Sequence, residues 1–126
     1  MKTVITTKNA PAPIGPYNQA ILTGNTLFTS GQIAINPETN TLVLDDIKTE
    51  TKQVMQNLKA VLEAASMTFE HVIKSSIFIS NMDDFGLINE VYGSYFDDAN
   101  APARETVQVA RLPKNVNVEI SVIAIK

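Results

Sequence analysis

Arg104 is the side chain in this sequence best suited to hold a small anion. It opens a strand-like segment directly after Ala101-Pro102-Ala103, a stretch that proline makes irregular. An arginine in that position can present its planar fork of donors to a carboxylate, and because it stays protonated it cannot act as a base. Arginine is more often simply solvated, but this placement favours a carboxylate-binding residue.

Glu119 is a second candidate because it stands between Val118 and Ile120 on the last strand-like segment, where we expect a half-buried carboxylate. Two roles remain open. It could form a cross-strand ion pair, for example with Arg111, or it could have an altered pKa and orient water or transfer protons. The spacing alone slightly favours the ion pair.

Asn89 falls on or beside the apolar stripe of a predicted helix, four residues after Phe85 and three before Tyr92. A buried amide without partners would cost about 1–3 kcal/mol, so we expect Asn89 to be hydrogen-bonded. A tie to a neighbouring loop and a contact with a ligand fit the spacing equally well.

Two hydroxyl groups beside glycine-containing turns complete the candidates. Tyr17 follows Gly15-Pro16, and Ser30 precedes Gly31, a residue that lets a ligand approach the main chain closely. Each of these signals is weak by itself.

Other kinds of site are excluded by composition. The absence of cysteine removes disulfides, thiolate nucleophiles and cysteine-based zinc sites. The single histidine, His71, rules out a multi-histidine metal site, and we expect it in a partly exposed loop. The usual hydrolase and nucleotide-binding motifs are also missing.

Length and charge narrow the class of protein further. The chain has 126 residues, 44% of them apolar and 18% charged, which predicts one globular domain over residues 1–126. A net charge of −3 is unfavourable for binding polyanions, so a nucleic-acid partner is not expected. No apolar run is long enough for a signal peptide or a membrane span, so we expect a cytoplasmic protein.

Periodicity predicts the elements that must position these residues. Apolar residues at helical spacing indicate a helix over residues 47–66, capped by Asp45 or Asp46, and a second from about 83 to 96. Strands are predicted at 18–22, 27–33, 41–44, 72–79, 104–112 and 116–125, with a possible edge strand at 3–7. This order predicts an α+β fold, a mixed sheet of about six strands with two helices on one face.

The last predicted strand has apolar residues on both faces near its end. Val122 and Ala124 point one way, while Ile123 and Ile125 point the other. Two helices can cover only one face, and exposed aliphatic side chains cost about 1.5–3 kcal/mol each. We therefore expect other copies of the chain to cover the second face in a closed homo-oligomer.

Several segments, taken together, resemble one known family. They are Ile14-Gly15-Pro16-Tyr17, Ser30-Gly31-Gln32-Ile33, Asn57-Leu58-Lys59-Ala60-Val61-Leu62, Val91-Tyr92 through Tyr95-Phe96, Ala101-Pro102-Ala103-Arg104, and Val109-Ala110-Arg111-Leu112-Pro113 with Val118-Glu119-Ile120. The family is RidA, also called YjgF, and the resemblance covers essentially the whole chain. It implies a chorismate-mutase-like α+β fold and a homotrimer, with its sheets around a central barrel and ligand clefts between subunits.

The resemblance also implies a function. RidA-like proteins hydrolyse 2-aminoacrylate, 2-aminocrotonate and their imine tautomers, which PLP-dependent dehydratases release, to 2-keto acids and ammonia. No metal or cofactor is implied. In this chain Arg104 would hold the substrate carboxylate and Glu119 would position or activate the attacking water. The cleft would be lined by Tyr17, Ser30, Gly31, Asn89 and Thr106.

One departure from the family pattern leaves an alternative open. Deaminase-active members commonly carry Ser-Cys after the arginine, where this chain has Glu105-Thr106. If the cleft uses only the backbone of Thr106 little changes, and strand alternation sends Glu105 away from Arg104. If the thiol is required, the chain would instead be a non-catalytic carboxylate-binding regulatory module.

Overall fold

The computed structural model describes all residues, 1–126, as a mixed sheet covered on one face by two helices. The strands are β1 (Lys2–Ile5), β2 (Ala20–Thr23), β3 (Thr26–Thr29), β4 (Ile35–Asn36), β5 (Thr41–Leu42), β6 (Val72–Ile79), β7 (Ala103–Gln108) and β8 (Val118–Ile125). The helices are α1 (Ile47–Ala64) and α2 (Phe85–Gly93). Six strands form the main sheet in the order β1-β2-β3-β8-β6-β7, and only β6 and β7 pair in parallel. The predicted fold class is confirmed.

Helix α1 contributes five fully buried apolar side chains to the core. Asp46 caps it as predicted, since its Oδ1 accepts a hydrogen bond from the Thr49 amide at 2.8 Å. The apolar stripe of the helix packs on the sheet and is fully buried at Val54, Met55, Leu58, Val61 and Leu62. This burial fixes one face of the sheet as the interior.

Three predicted elements differ most in extent. The strand expected at 27–33 ends at Thr29, and beyond it Gln32 forms an isolated bridge with Ile120 of β8. The second helix is shorter than predicted, since a 3₁₀ turn at Met82–Asp84 precedes it and it ends at Gly93. The strand expected at 104–112 ends at Gln108.

The sheet has six strands for a reason that differs in part from the prediction. The segment expected at 41–44 pairs only with β4, in a separate two-stranded sheet. Strand β1, close to the possible edge strand, supplies the sixth strand instead. The polypeptide between the two sheets, residues 30–34, is the segment that carries Ser30 and Gly31.

The second face of the main sheet carries exposed apolar side chains in the single chain. Phe28, Val107 and Ile125 are 45%, 41% and 39% exposed there, while the residues of β8 on the helix face are buried. The alternation predicted for β8 is confirmed. Neither helix combines the length and apolar character that crossing a bilayer would require.

Candidate functional site

Arg104 is held in a fixed orientation at the start of the edge strand β7. Its Nη1 donates a hydrogen bond to Asn89 Oδ1 at 2.6 Å. Its guanidinium carbon lies 5.2 Å from the centre of the Tyr92 ring and 5.6 Å from that of Phe85. We call these four residues, Arg104, Asn89, Tyr92 and Phe85, the Arg104 cluster.

Tyr92 is itself anchored beneath the arginine. Its hydroxyl donates to Ser75 Oγ at 2.8 Å, and both residues are buried. Burial raises the pKa of the Tyr92 phenol, while the Ser75 hydrogen bond and the Arg104 charge act weakly the other way. The phenol therefore stays neutral at physiological pH and serves as a flat support for the guanidinium rather than as a base.

Asn89 is exposed, and its side chain is hydrogen-bonded, as predicted. The helix turns this position to the open edge of the sheet, and the amide bonds to Arg104 rather than to a neighbouring loop. The amide nitrogen has no partner within the chain, which leaves it available to a ligand bound at the arginine.

A separate cavity of about 500 Å³ lies around Glu119 and contains four of the predicted site residues. Tyr17, Ser30, Gly31 and Glu119 all line it, which brings together segments far apart in sequence. The chain also contributes the proline-rich stretch from Pro11 and the turn at Pro113 and Lys114 to its walls. We call this cavity the Glu119 pocket.

Glu119 has no hydrogen-bond or ion-pair partner in the chain and is half-buried. Burial raises the pKa of its carboxyl above the ordinary value. The predicted ion pair with Arg111 is wrong, because β7 ends before it reaches Arg111. The Arg111 Nε donates a hydrogen bond to Asn115 Oδ1 at 2.9 Å instead. An unpaired carboxylate with a raised pKa is suited to accept and return a proton.

Gly31 is required by the position of that carboxylate. A Cβ atom on Gly31 would stand 2.6 Å from Glu119 Oε2, far inside van der Waals contact. The backbone is fixed on both sides of this contact, since the amides and carbonyls of Gln32 and Ile120 bond to each other at 2.8 and 3.1 Å. Glycine therefore lets the Glu119 side chain lie directly against the main chain.

Tyr17 and Ser30 are held by local hydrogen bonds at the rim of the same pocket. The Ser30 hydroxyl donates to the Asn18 carbonyl at 2.5 Å, and the Tyr17 phenol oxygen accepts from the Ile14 amide at 3.3 Å. Tyr17 is 49% exposed, so its ring has one open side. These contacts make both residues part of a formed wall.

The two candidate catalytic residues lie on opposite faces of the main sheet. Arg104 is in register with Ser75, which is buried beneath the helices. Glu119 is in register with Phe78. Ser75 and Phe78 both lie on β6, three positions apart, so their side chains point to opposite faces of the sheet. Within one copy of the chain, the sheet itself separates the guanidinium from the carboxylate.

The residues that follow Arg104 alternate across the sheet as predicted. Thr106 shares the helix face with Arg104, and its hydroxyl is buried without a hydrogen-bond partner. Glu105 points the other way, where its carboxylate pairs with Lys74 Nζ at 2.7 Å and accepts a hydrogen bond from Ser76. These contacts lower the pKa of the Glu105 carboxyl, and the hydrogen bond with Lys74 has the largest effect.

Sequence reasoning missed the buried polar residues that shape the Glu119 pocket. Gln19 bonds the main chain of Thr7, Ala10 and Pro11 and folds the proline-rich segment over the cavity. Asn57 donates to the carbonyls of Ile33 and Ile35 at 3.1 and 3.0 Å. Amides within otherwise apolar helix or strand patterns were the available signal. His71, by contrast, is partly exposed at the end of a 3₁₀ turn, between the helix and the strand that were predicted on either side of it.

The fold and these residues define the chain as an α+β protein of the RidA type. A family model described as "Endoribonuclease L-PSP" matches residues 7–126, so the chain belongs to that family, which is also known as RidA or YjgF. It is 53% identical to a RutC family protein of Pyrococcus horikoshii, over 100% of this chain and 99% of that protein. It is 43% identical to the 2-iminobutanoate/2-iminopropanoate deaminase of Escherichia coli K12, over 100% and 99%.

Solved structures agree with this assignment. The Rid family protein YyfA of Yersinia pestis has a TM-score of 0.97 and 48% identity and is covered over the full length of both chains. The crystal structure of E. coli TdcF with bound serine has a TM-score of 0.92 and 42% identity, with 98% of each chain covered. The family and its fold are therefore established for this chain.

Proposed function

We propose that the protein is a deaminase that hydrolyses reactive 2-imino and 2-enamino acids to 2-keto acids and ammonia. The observation that carries the proposal is the braced Arg104 guanidinium, which presents a rigid fork suited to the carboxylate of a small acid. The E. coli relative with the corresponding name and the serine bound to TdcF support this class of ligand. Cytoplasmic 2-iminobutanoate and 2-iminopropanoate, released by PLP-dependent dehydratases, would be the substrates.

The proposed reaction needs only orientation and proton transfer. Arg104 binds the carboxylate, and water adds its oxygen to the imine carbon while Glu119 accepts a proton. Glu119 then returns that proton to the nitrogen. It next takes the proton of the new hydroxyl group and passes it to the same nitrogen as the C–N bond breaks, so that NH3 leaves as the carbonyl forms. An enamine substrate would first take up a proton at C3 to become the imine. The raised pKa of Glu119 makes its carboxylate a stronger base for taking the proton from water.

Such a reaction requires two copies of the chain, because one sheet separates Arg104 from Glu119. We propose a homotrimer in which the Arg104 cluster of one subunit faces the Glu119 pocket of the next. The apolar second face of the sheet supports this, since Phe28, Val107 and Ile125 would be buried at the subunit contacts. Tyr17, Ser30 and Gly31 would then line the cleft from one side, and Asn89 and Thr106 from the other.

A non-catalytic carboxylate-binding module is the second candidate. The Glu105-Thr106 pair supports it, since the buried Thr106 hydroxyl cannot supply the chemistry of a thiol. This alternative would show saturable binding of a 2-keto acid without turnover.

The experiment that separates the two is a coupled assay with threonine dehydratase. The deaminase function requires that the protein accelerate 2-oxobutanoate release over the dehydratase alone, and that Arg104→Lys remove most of the acceleration. Lysine keeps the charge but loses the fork and its bond to Asn89. No acceleration at micromolar protein, with saturable 2-oxobutanoate binding, would establish the binding module instead.

A further inference from the structure

Lys114 is a cation in the Glu119 pocket that the proposed reaction does not use. It lines the cavity together with Glu119 and makes no ion pair or hydrogen bond through its side chain. The chain has 13 acidic and 10 basic residues, yet this lysine stands at the pocket without an acidic partner. Its charge is therefore available to a molecule that enters the cavity.

The backbone holds Lys114 in an uncommon conformation. Its φ and ψ angles are 56° and 22°, and Asn115 follows with a φ of 55°, both in the left-handed region that side chains with a Cβ atom rarely adopt. The turn is braced by the bond from Arg111 Nε to Asn115 Oδ1 and by the buried side chains of Leu112 and Val116. The base of the lysine side chain is thus fixed at the wall of the cavity.

The lysine does not serve to neutralise Glu119. Burial raises the pKa of the Glu119 carboxyl, and no neighbouring cation opposes that effect. The two charges therefore act on separate parts of the pocket, Glu119 against the Gly31 backbone and Lys114 on the turn.

We propose that Lys114 recognises a second anionic group on the substrate side chain, which makes dicarboxylic 2-imino acids a substrate class of this protein. The inference rests on the proposed deaminase function. The 2-carboxylate would bind Arg104 of the adjoining subunit, the imine carbon would lie beside Glu119, and the second carboxylate would reach Lys114. Hydrolysis is unchanged: water supplies the carbonyl oxygen, both of its hydrogens leave on nitrogen as ammonia, and the second carboxylate is not altered.

The test compares two imino acids generated in situ by an amino-acid oxidase, 2-iminoglutarate and 2-iminobutanoate. For the wild type, kcat/KM is expected to favour the dicarboxylate by about two- to fivefold, as an exposed charge pair would give. Lys114→Met should remove that preference and leave kcat/KM for 2-iminobutanoate within about twofold. Lys59→Met is the matched control, because Lys59 is exposed on α1, has no ion pair and lies outside the pocket.

Other outcomes would overturn the inference. Equal losses on both substrates would make Lys114 part of the common reaction, and a changed oligomeric state of Lys114→Met would place it at the subunit contact. If the wild type accelerates neither imino acid, the deaminase function fails, and calorimetric titration with 2-oxoglutarate and 2-oxobutanoate still decides the role of Lys114. If 2-oxoglutarate binds more tightly than 2-oxobutanoate and Lys114→Met abolishes the difference, Lys114 recognises the second carboxylate. Equal binding of both keto acids to the wild type would refute that role.

Discussion

The hydrogen bond from Arg104 Nη1 to Asn89 Oδ1, 2.6 Å long, joins the edge strand β7 to helix α2. It fixes one edge of the guanidinium while the rings of Tyr92 and Phe85 support its plane. Without it, the arginine would keep its charge but lose part of the orientation that two-pronged carboxylate binding needs. Asn89 is therefore a positioning residue for Arg104.

Replacing Asn89 tests that relationship. Asn89→Ala should raise KM for the 2-imino acid by about tenfold, because a hydrogen bond to a charged group is lost, and should lower kcat less. Asn89→Asp should be more harmful, since the carboxylate would pair with Arg104 and repel the anionic substrate. Steady-state kinetics of both variants check this. If Asn89→Asp matched the wild type, the amide would have no role in anion binding.

Complementation between inactive variants tests whether the site is shared. Arg104→Ala and Glu119→Gln remove groups on opposite faces of the sheet, so each variant alone should be inactive. Co-refolded at equal amounts, they should regain about a quarter of wild-type activity, because random assembly leaves that share of intersubunit sites intact. No recovery in mixed oligomers, verified by tagging each variant, would mean that the two residues do not act in one site.

The Gly31 contact predicts a loss of activity without a large loss of stability. In Gly31→Ala the new Cβ atom would stand 2.6 Å from Glu119 Oε2 and would displace that flexible carboxylate. Activity should therefore fall about tenfold or more. The free energy of unfolding should change by less than about 1 kcal/mol, since the displaced atom is the end of a side chain. Gly86→Ala is the control. A Cβ atom at position 86 would meet nothing within 4 Å. The substitution should therefore stabilise helix α2 and leave activity unchanged.

Much of this fold could be predicted from the sequence, because hydrophobic periodicity records which face of an element is buried. The spacing of Val54, Leu58 and Val61 located α1, and the alternation along β8 separated the two faces of the sheet. Strand ends were less predictable. Strand β3 ends at Thr29, and beyond it Gln32 pairs with Ile120 in an isolated bridge, a long-range contact that no local pattern records.

The candidate site was predictable by residue but not by arrangement. Glycine, serine and tyrosine next to turns indicated candidate ligand-binding residues, and a proline-flanked arginine at the start of a strand indicated a carboxylate-binding residue. The sheet separates Arg104 from Glu119. That separation follows from the parallel pairing of β6 with β7, a long-range register that the spacing of residues in the sequence does not determine. The favoured Arg111 ion pair failed for the same reason, since it depended on where β7 ends.

Two carboxylates on the second face of the sheet should shift stability with pH in opposite directions. The pKa of Glu119 is raised by burial, so the folded state binds its proton more tightly than the unfolded state does, and stability is lost as pH rises through the folded pKa. Glu119→Gln should therefore have a higher Tm than the wild type at pH 7, with the difference in Tm closing in acid.

The pKa of Glu105 is lowered by Lys74 and Ser76, so the contribution of Glu105 to stability is present above the ordinary pKa of 4.5 and is lost as pH falls. Glu105→Gln should accordingly have a lower Tm at pH 7 and converge with the wild type in acid. Thermal unfolding of the three proteins from pH 3 to pH 8 measures both effects, and a lower Tm for Glu119→Gln at neutral pH would contradict the unpaired state of its carboxylate.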